Sequence, residues 1–287
     1  MIRHIVPAGV ADHLGRYLRR AWPMLPGFVY NNILKKRDVR INGEKSGRDA
    51  QVRGGDVLEI YADTKYLCPD VEVLFDDGRL MAAVKPQGLP SLPDADGVGA
   101  DTMEARLKRI HPEAQLCHRL DAGTGGVMLA SLCEDTCQRA FIAFRDHAIA
   151  KRYRAALYGR PKRDTMELHA YLSKDAGAAR VRIADHPTPG SKEITTLVQV
   201  LSCENGIADV YLSPVTGRTH QLRAHMAHIG CPILGDDKYG NREVNRRTGM
   251  QNRLCLWCEQ MEIPAGSPLA DYIGRTFYAP APDWKLK

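Results

Sequence analysis

The stretch CHRLDAGTGGVMLAS, residues 117–131, narrows most sharply what this chain can become. Gly123, Gly125 and Gly126 open backbone conformations closed to other residues and leave room for a ligand to approach closely. Residues 127–130 follow as a short apolar run of the length a buried strand needs. Ser131-Leu-Cys-Glu134 has the form of a capping box. Cys137, Ala140, Phe141 and Phe144 then recur at i, i+3, i+4 and i+7, the face of a core-packed helix. A glycine loop feeding a buried strand and then a helix is a rigid mount for a functional side chain, and Asp121 stands at its start. Spacing alone leaves Asp121 three roles: a turn residue, an ion-pair partner for Arg119, or a nucleophile.

The surrounding pattern is that of a mixed domain. VEVLFDDGRLMAAVKP (71–86) reads as strand, turn, strand, ended by Lys85-Pro86 because proline cannot continue a central ladder. Helical spacing returns over 102–110. KRYRAALYG (151–159) alternates as a strand, with Tyr153, Ala155 and Leu157 on one face and Arg152, Arg154 and Tyr158 on the other. Residues 208–236 give a strand, a Pro/Gly turn and a helix over 219–229, stopped by Gly230 and Pro232. Leu222, Met226 and Ile229 form that helix's apolar stripe, while His220 and Arg223 share another face. Residues 94–102 and 174–193 read as loops.

The first sixty residues differ in charge. They hold eleven Lys or Arg against six Asp or Glu, which is five of the chain's net charge of +6. Concentrated basicity points to a polyanion, although a solvated charged surface is the plainer reading. Leu14, Tyr17, Leu18 and Ala21 have helical spacing with Asp12 placed to cap. A second helix fits 28–36 through Val29, Ile33 and Leu34. Val39 and Ile41 alternate with Arg40 before Asn42-Gly43, a tight-turn signal, and GGDVLEIY (54–61) closes with a strand. LxxYL in the first helix, ILKKRDVRINGE and GGDVLEI together resemble the small RNA-binding module first recognised in a small-subunit ribosomal protein. The resemblance implies that Lys35, Lys36, Arg37 and Arg40 line a phosphate-facing surface, which sets affinity without reading sequence.

Other classes are not favoured by the sequence. Eight cysteines in a 287-residue chain without a signal-peptide pattern do not read as a disulfide framework. Cys133, Cys137, Cys255 and Cys258 have spacings open to zinc, but their mixed apolar and helical settings favour buried or idle thiols. His220, His225 and His228 do not share one helical face, so no metal is expected there, and His220 reads as a packing or hydrogen-bonding residue. No run approaches the roughly 20 apolar residues of a membrane helix. A cytoplasmic protein with no membrane partner is expected, and nothing demands more than a monomer.

HRLDAGTGG (118–126), KRYRA (151–155) and GRTHQLRAHMAHIGCPILGDDKYG (217–240), preceded by VKPQGLPSLP (84–93), resemble in order and spacing the motifs of the RluA family of RNA pseudouridine synthases. The resemblance covers essentially residues 70–287. It implies an α+β fold, a central mixed and mostly antiparallel sheet with flanking helices, preceded by a small α/β RNA-binding domain. The expected division is 1–62 for that domain, 63–70 for a linker on which it can move, and 71–287 for the catalytic domain. The resemblance also implies that Asp121 is the catalytic aspartate, Tyr153 the tyrosine that stacks on the base, and Arg223 the arginine paired with Asp121. Leu256 corresponds to an apolar residue near the site. Where many members have Thr-Ser-Gly, this chain has Thr124-Gly125-Gly126.

These residue types suit the chemistry. The reaction breaks the bond from uracil N1 to the sugar, turns the base and rejoins it through C5. No atoms or electrons are gained, so no cofactor is needed. It needs a carboxylate that attacks or deprotonates, an arginine that grips it by paired hydrogen bonds, and a phenol for proton traffic. A uridine in structured RNA must leave its stack, and Arg119 could line the gap or pair with backbone instead. Ribosomal RNA is the first expectation, because of the front module, and transfer RNA is the alternative. Two rivals remain. One is a non-catalytic RNA-binding factor, disfavoured because all three catalytic counterparts are present. The other is a carboxylate-dependent hydrolase, which would need a second acid that the motif does not offer.

Overall fold

Two large apolar clusters organise the chain, one built mainly from the first sixty-odd residues and one beneath the long strands that follow. The computed structural model describes residues 1–175, 180–282 and 284. The first cluster is enclosed by β1 (Ile2–Ile5), β2 (Ala11–His13), α1 (Leu14–Ala21), α2 (Gly27–Lys36), β3 (Val39–Ile41), β4 (Glu44–Lys45), β5 (Gln51–Arg53) and β6 (Val57–Ile60). Four strands pair in the order β1-β6-β3-β4, and β2 pairs with β5. Both helices bury the expected stripes, Leu14, Tyr17, Leu18 and Ala21 from α1 and Val29, Ile33 and Leu34 from α2, and α2 buries Tyr30 as well. The β3–β4 turn passes through Asn42 and Gly43, both at positive φ, as a primed hairpin turn requires.

Asp12 does not cap α1. Pairing of β2 with β5 runs through His13, which becomes the N-cap without a side-chain bond. Asp12 is instead buried, accepting from Arg20 at 3.3 Å with Arg16 at 3.5 Å.

The stretch expected as a free linker holds a helical turn, α3 (Thr64–Leu67), capped by Asp63. Leu67 is buried in the first cluster, and its carbonyl accepts the Trp22 indole N–H at 3.1 Å. The loop over 94–102 is docked as well. Val98, 2% exposed, enters the same cluster, Asp101 N–H donates to Ala21 at 2.8 Å, and Arg20 bridges Asp94 at 2.8 Å and Asp96 at 2.5 Å. A buried Leu67 or Val98, with a few partly buried neighbours, seats each polar stretch, and so short a set has no period to read.

The second cluster lies against an 11-stranded sheet. Its elements are β7 (Glu72–Asp76), β8 (Leu80–Lys85), α4 (Met103–Ile110), β9 (Gln115–Leu116), β10 (Gly125–Ser131), α5 (Glu134–Arg145), β11 (Ala150–Tyr158), β12 (Thr165–Asp175), β13 (Arg180–Ala184), β14 (Lys192–Glu204), β15 (Ile207–Pro214), α6 (Gln221–His228), α7 (Arg242–Arg247), β16 (Leu256–Glu262) and β17 (Thr276–Tyr278). The order is β13-β12-β14-β15-β11-β16-β10-β8-β7, with β17 on β16 and β9 on β10. Among the described residues β10–β16 is the one parallel pair of strands in this sheet. The fold is therefore α+β with a mixed, mostly antiparallel sheet.

Three local expectations fail. β10 continues through Ser131, which pairs with Leu80 and Gln115, so α5 starts only at Glu134 behind Cys133 and no capping box forms. Ala140 and Ala143 face the core from α5, while Phe141 is 64% exposed. The stretch 174–193 is not all loop: β12 runs to Asp175 and β13 returns beside it, with Val181 buried. Residues 176–179 of that reading lie outside the described residues.

Candidate active site

Glycine in the Asp121 loop serves the sheet before any ligand. Gly126 sits at φ 112°, and a Cβ there would lie 2.1 Å from the Cys258 carbonyl oxygen. A Cβ on Gly125 would lie 2.2 Å from the Trp257 ring. Both glycines pair with β16, Gly125 opposite Trp257 and Gly126 opposite Cys258, so the close neighbour is a strand from far along the chain rather than a ligand. The indole of Trp257 occupies the space in which a serine at 125 would need its side chain.

Three side chains hold the loop from below. Lys85, wholly buried, donates to the carbonyls of Pro86 at 3.1 Å, Leu89 at 2.5 Å and Ala122 at 3.1 Å. Burial pushes this amine down to about 7, against the pull of Asp121. Gln87 donates to the carbonyls of Gly123, at 3.0 Å, and Leu254. Ser91 Oγ donates to Leu120 O at 2.7 Å and receives Leu120 N–H at 3.1 Å. Sequence reading took Lys85-Pro86 as the end of a strand and as part of the segment preceding the motifs, and gave the Lys85 amine no role. Upstream, His118 stacks on Phe144 with centroids 4.4 Å apart, and its Nε2 accepts the Leu129 N–H at 3.1 Å. Burial lowers His118 to about 3, which keeps it a neutral acceptor.

The arginine expected beside Asp121 is there, 102 residues on, but its grip is divided. Arg223 Nε and Nη2 clasp Asp236 at 2.7 and 2.8 Å, Nη2 also reaches Asp237 at 3.1 Å, and only Nη1 meets Asp121, at Oδ2, 3.3 Å away. The paired grip foreseen for Asp121 thus belongs to Asp236. Its side chain is wholly shielded, and it also accepts the backbone N–H groups of Lys238 and Tyr239. Burial opposes both charges of this pair; their mutual hydrogen bonding and attraction outweigh it, lowering the Asp236 carboxyl and raising the Arg223 guanidinium. In the sequence, Asp236 sits in ILGDDKYG and reads as a turn. A second group faces the same oxygen: His220 Nε2 lies 3.6 Å from Asp121 Oδ2. His220 is the N-cap of α6 at φ 55°, so the helix starts after it.

Asp121, Tyr153, Arg223, Leu256 and Arg119 all line one cleft of about 720 Å³. Tyr153 is buried on β11, next to a register shift between Arg152 and Tyr153 that re-aims the strand. Burial first, then Cys258 and the charge of Asp121, raise its phenol well above the ordinary value. Leu256 opens β16 and is buried. Arg119 is exposed and makes no ion pair among the described residues. Lys35, Lys36, Arg37 and Arg40 do not line this cleft; the first three are exposed on the end of α2, and Arg40 stacks on Tyr61 at 5.3 Å.

The sequence over residues 79–228, more than half of the chain, matches the family described as RNA pseudouridylate synthase. The chain belongs to that family. The synthase is 30% identical over 258 residues to the ribosomal large subunit pseudouridine synthase C of Rickettsia conorii, spanning 82% of this chain and 84% of that one. To the protein of that name from Vibrio parahaemolyticus it is 26% identical over 278 residues, 91% of this chain and 86% of the other. Among solved structures, Human RNA Pseudouridylate Synthase Domain Containing 4 superposes on the synthase with a TM-score of 0.58, at 25% identity, over 74% of this chain and 89% of that one. The synthase is an enzyme that isomerises uridine in RNA.

Among the described residues no three His, Cys, Asp or Glu side chains converge as a metal ligand set would, and no helix is long and apolar enough to cross a membrane. Cys133 and Cys137 bond instead to Thr136 and Gln115, and Cys255 and Cys258 are buried.

Proposed function

We propose that the synthase converts uridine of large-subunit ribosomal RNA to pseudouridine, with Asp121 as nucleophile or general base, Tyr153 as the face against the base and Arg223 as the anchor of the carboxylate. The observation that carries this reading is one carboxylate held at Oδ2 by a buried, doubly neutralised arginine, inside a cleft it shares with a buried tyrosine. The names of the bacterial relatives supply the choice of RNA.

In this reading Asp121 Oδ1, which accepts no hydrogen bond among the described residues, faces the sugar or base while the N1 bond opens, the ring turns and C5 takes its place. C5 gives up a proton and N1 gains one. With its phenol raised well above the ordinary value, Tyr153 stays protonated at neutral pH and offers a flat face and a hydrogen-bond donor rather than a phenolate base. Leu256 lines the same cleft. A hydrolytic pair is not offered, because Asp121 is the one carboxylate among the described residues that line the cleft.

Flipping the uridine costs about a few kcal/mol, and the unpaired Arg119 at the cleft fills the gap left in the stack. Residues 1–62 serve as the RNA-binding module, 63–70 as the connection and 71–287 as the catalytic domain. Lys35, Lys36, Arg37 and Arg40 contact phosphates. Since the cleft is complete within one chain, the synthase works as a monomer, in the cytoplasm where its RNA is.

A pseudouridine map of cells lacking the protein, rescued with wild type or Asp121→Asn, tests this. A large-subunit site lost on deletion and restored only by wild type is the expected result. A transfer-RNA site lost instead would replace the substrate, and no lost site would overturn the reading.

A further inference from the structure

The two oxygens of Asp121 have different surroundings. Oδ2 faces Arg223 Nη1 at 3.3 Å and His220 Nε2 at 3.6 Å, whereas Oδ1 accepts no hydrogen bond among the described residues. His220 takes part in a longer chain. Its Nδ1 lies 3.0 Å from the Tyr239 hydroxyl, and the rings meet edge-on at 5.6 Å. Tyr239 Oη already accepts the Val181 N–H at 2.9 Å, so its own hydrogen is free to point at Nδ1. An Nδ1 that accepts leaves the ring proton on Nε2, the nitrogen facing Asp121. Burial lowers His220, and Arg223 and Lys238 add to that, against the pull of Asp121, so a neutral ring with this one proton is favoured.

The backbone gives independent support. His220 is held at φ 55°, a left-handed conformation that a side chain rarely adopts and that persists where surroundings over-determine it, most often at functional sites. This conformation turns the imidazole off the helix and toward both Tyr239 and Asp121.

We propose that His220 is a positioning residue for the isomerisation: fixed by Tyr239, its Nε2–H shares Asp121 Oδ2 with Arg223 and leaves Oδ1 turned to the flipped uridine. The 3.6 Å separation closes to a hydrogen bond when the base fills the cleft, as the hydrogen bonds of unliganded active sites commonly do. The proposal rests on Asp121 being the reacting carboxylate.

Single-turnover rates on ribosomal RNA from cells lacking the protein test it, with RNA affinity and melting temperature measured alongside. His220→Asn suits the left-handed backbone but is too short to reach; it lowers the rate about 10- to 100-fold with affinity unchanged. His220→Gln, which regains the reach, recovers part of the loss. Tyr239→Phe keeps the ring and loses the hydroxyl; it costs roughly 3- to 10-fold alone and nothing further in the His220→Asn background. Rates that multiply in the double variant, or that follow melting temperature, would overturn the relay. A wild-type rate in His220→Asn, with Asp121→Asn inactive, would remove His220 alone, whereas an active Asp121→Asn would remove the reading beneath it.

Discussion

Around Asp121 a single buried guanidinium is shared among three carboxylates, Asp121, Asp236 and Asp237. At the end of α2, by contrast, Lys35, Lys36 and Arg37 stand exposed, with no carboxylate on any of them among the described residues. In the proposed reading both regions meet RNA, yet their charge is held in opposite ways. In the cleft, removal from water makes each pairing strong and each unpaired charge costly, so the Arg223–Asp236 clasp is fixed before substrate arrives. On the front module the exposed charges stay hydrated and are screened by salt, so the phosphate contacts proposed for them would be loose and salt-dependent. Substitutions in the first region should therefore have large effects, nearly independent of salt; those in the second should have small, additive and salt-dependent ones.

The comparison breaks most visibly at Asp236. Asp236→Asn leaves the buried Arg223 charge short of its main partner and should cost about 3–5 kcal/mol of stability, along with turnover. Denaturant unfolding measures it. A cost of about 1 kcal/mol or less, the range of exposed pairs, would mean that the cleft is no more fixed than the surface.

His118 sharpens it through pH. Its folded value is depressed to about 3, below the unfolded value near 6.5. Between these the unfolded state binds the extra proton, so the neutral ring's contribution is complete above 6.5 and is lost as pH falls toward 3. The slope attributable to one such proton is about 1.4 kcal/mol per pH unit. His118→Gln keeps an acceptor for Leu129 and cannot titrate; its stability should fall less steeply with acid than that of wild type. Equal slopes would place no buried neutral imidazole there.

The smallest effect belongs to the front module. Changing Lys35, Lys36 and Arg37 to Gln should weaken RNA binding at low salt and shallow the log–log salt slope by roughly 0.7–0.9 for each phosphate no longer neutralised, with single-turnover rate at saturating enzyme unchanged. An unaltered slope would make the cluster ordinary surface.

What the sequence disclosed and what it hid divide along the chain distance between partners. The helices of the first cluster, the strand pair around Asp76–Gly78 and the buried strand after Gly126 were legible, because periodicity and turn chemistry are local. The meeting of Asp121, Tyr153, Arg223 and Leu256 in one cleft was legible only through motif resemblance, since no spacing relates residues 102 apart. Asp236 was missed because an Asp-Asp in a glycine loop reads as a turn, and its value lies in the guanidinium 13 residues away. The glycines were assigned to ligand access because their true neighbour, β16, is distant in the chain. Leu67 and Val98 were missed as anchors for the simpler reason that each is the one fully buried apolar residue of a short, mostly polar run.

The most direct measurement is single-turnover isomerisation by Asp121→Asn beside its affinity for the same RNA. Asn keeps the shape and loses the nucleophile and base, so turnover should fall by about 10³-fold or more, with affinity and melting temperature close to wild type. Turnover near wild type in a folded, RNA-binding Asp121→Asn protein would contradict the assignment of the reacting carboxylate, and with it the purpose given to Arg223, Asp236 and His220.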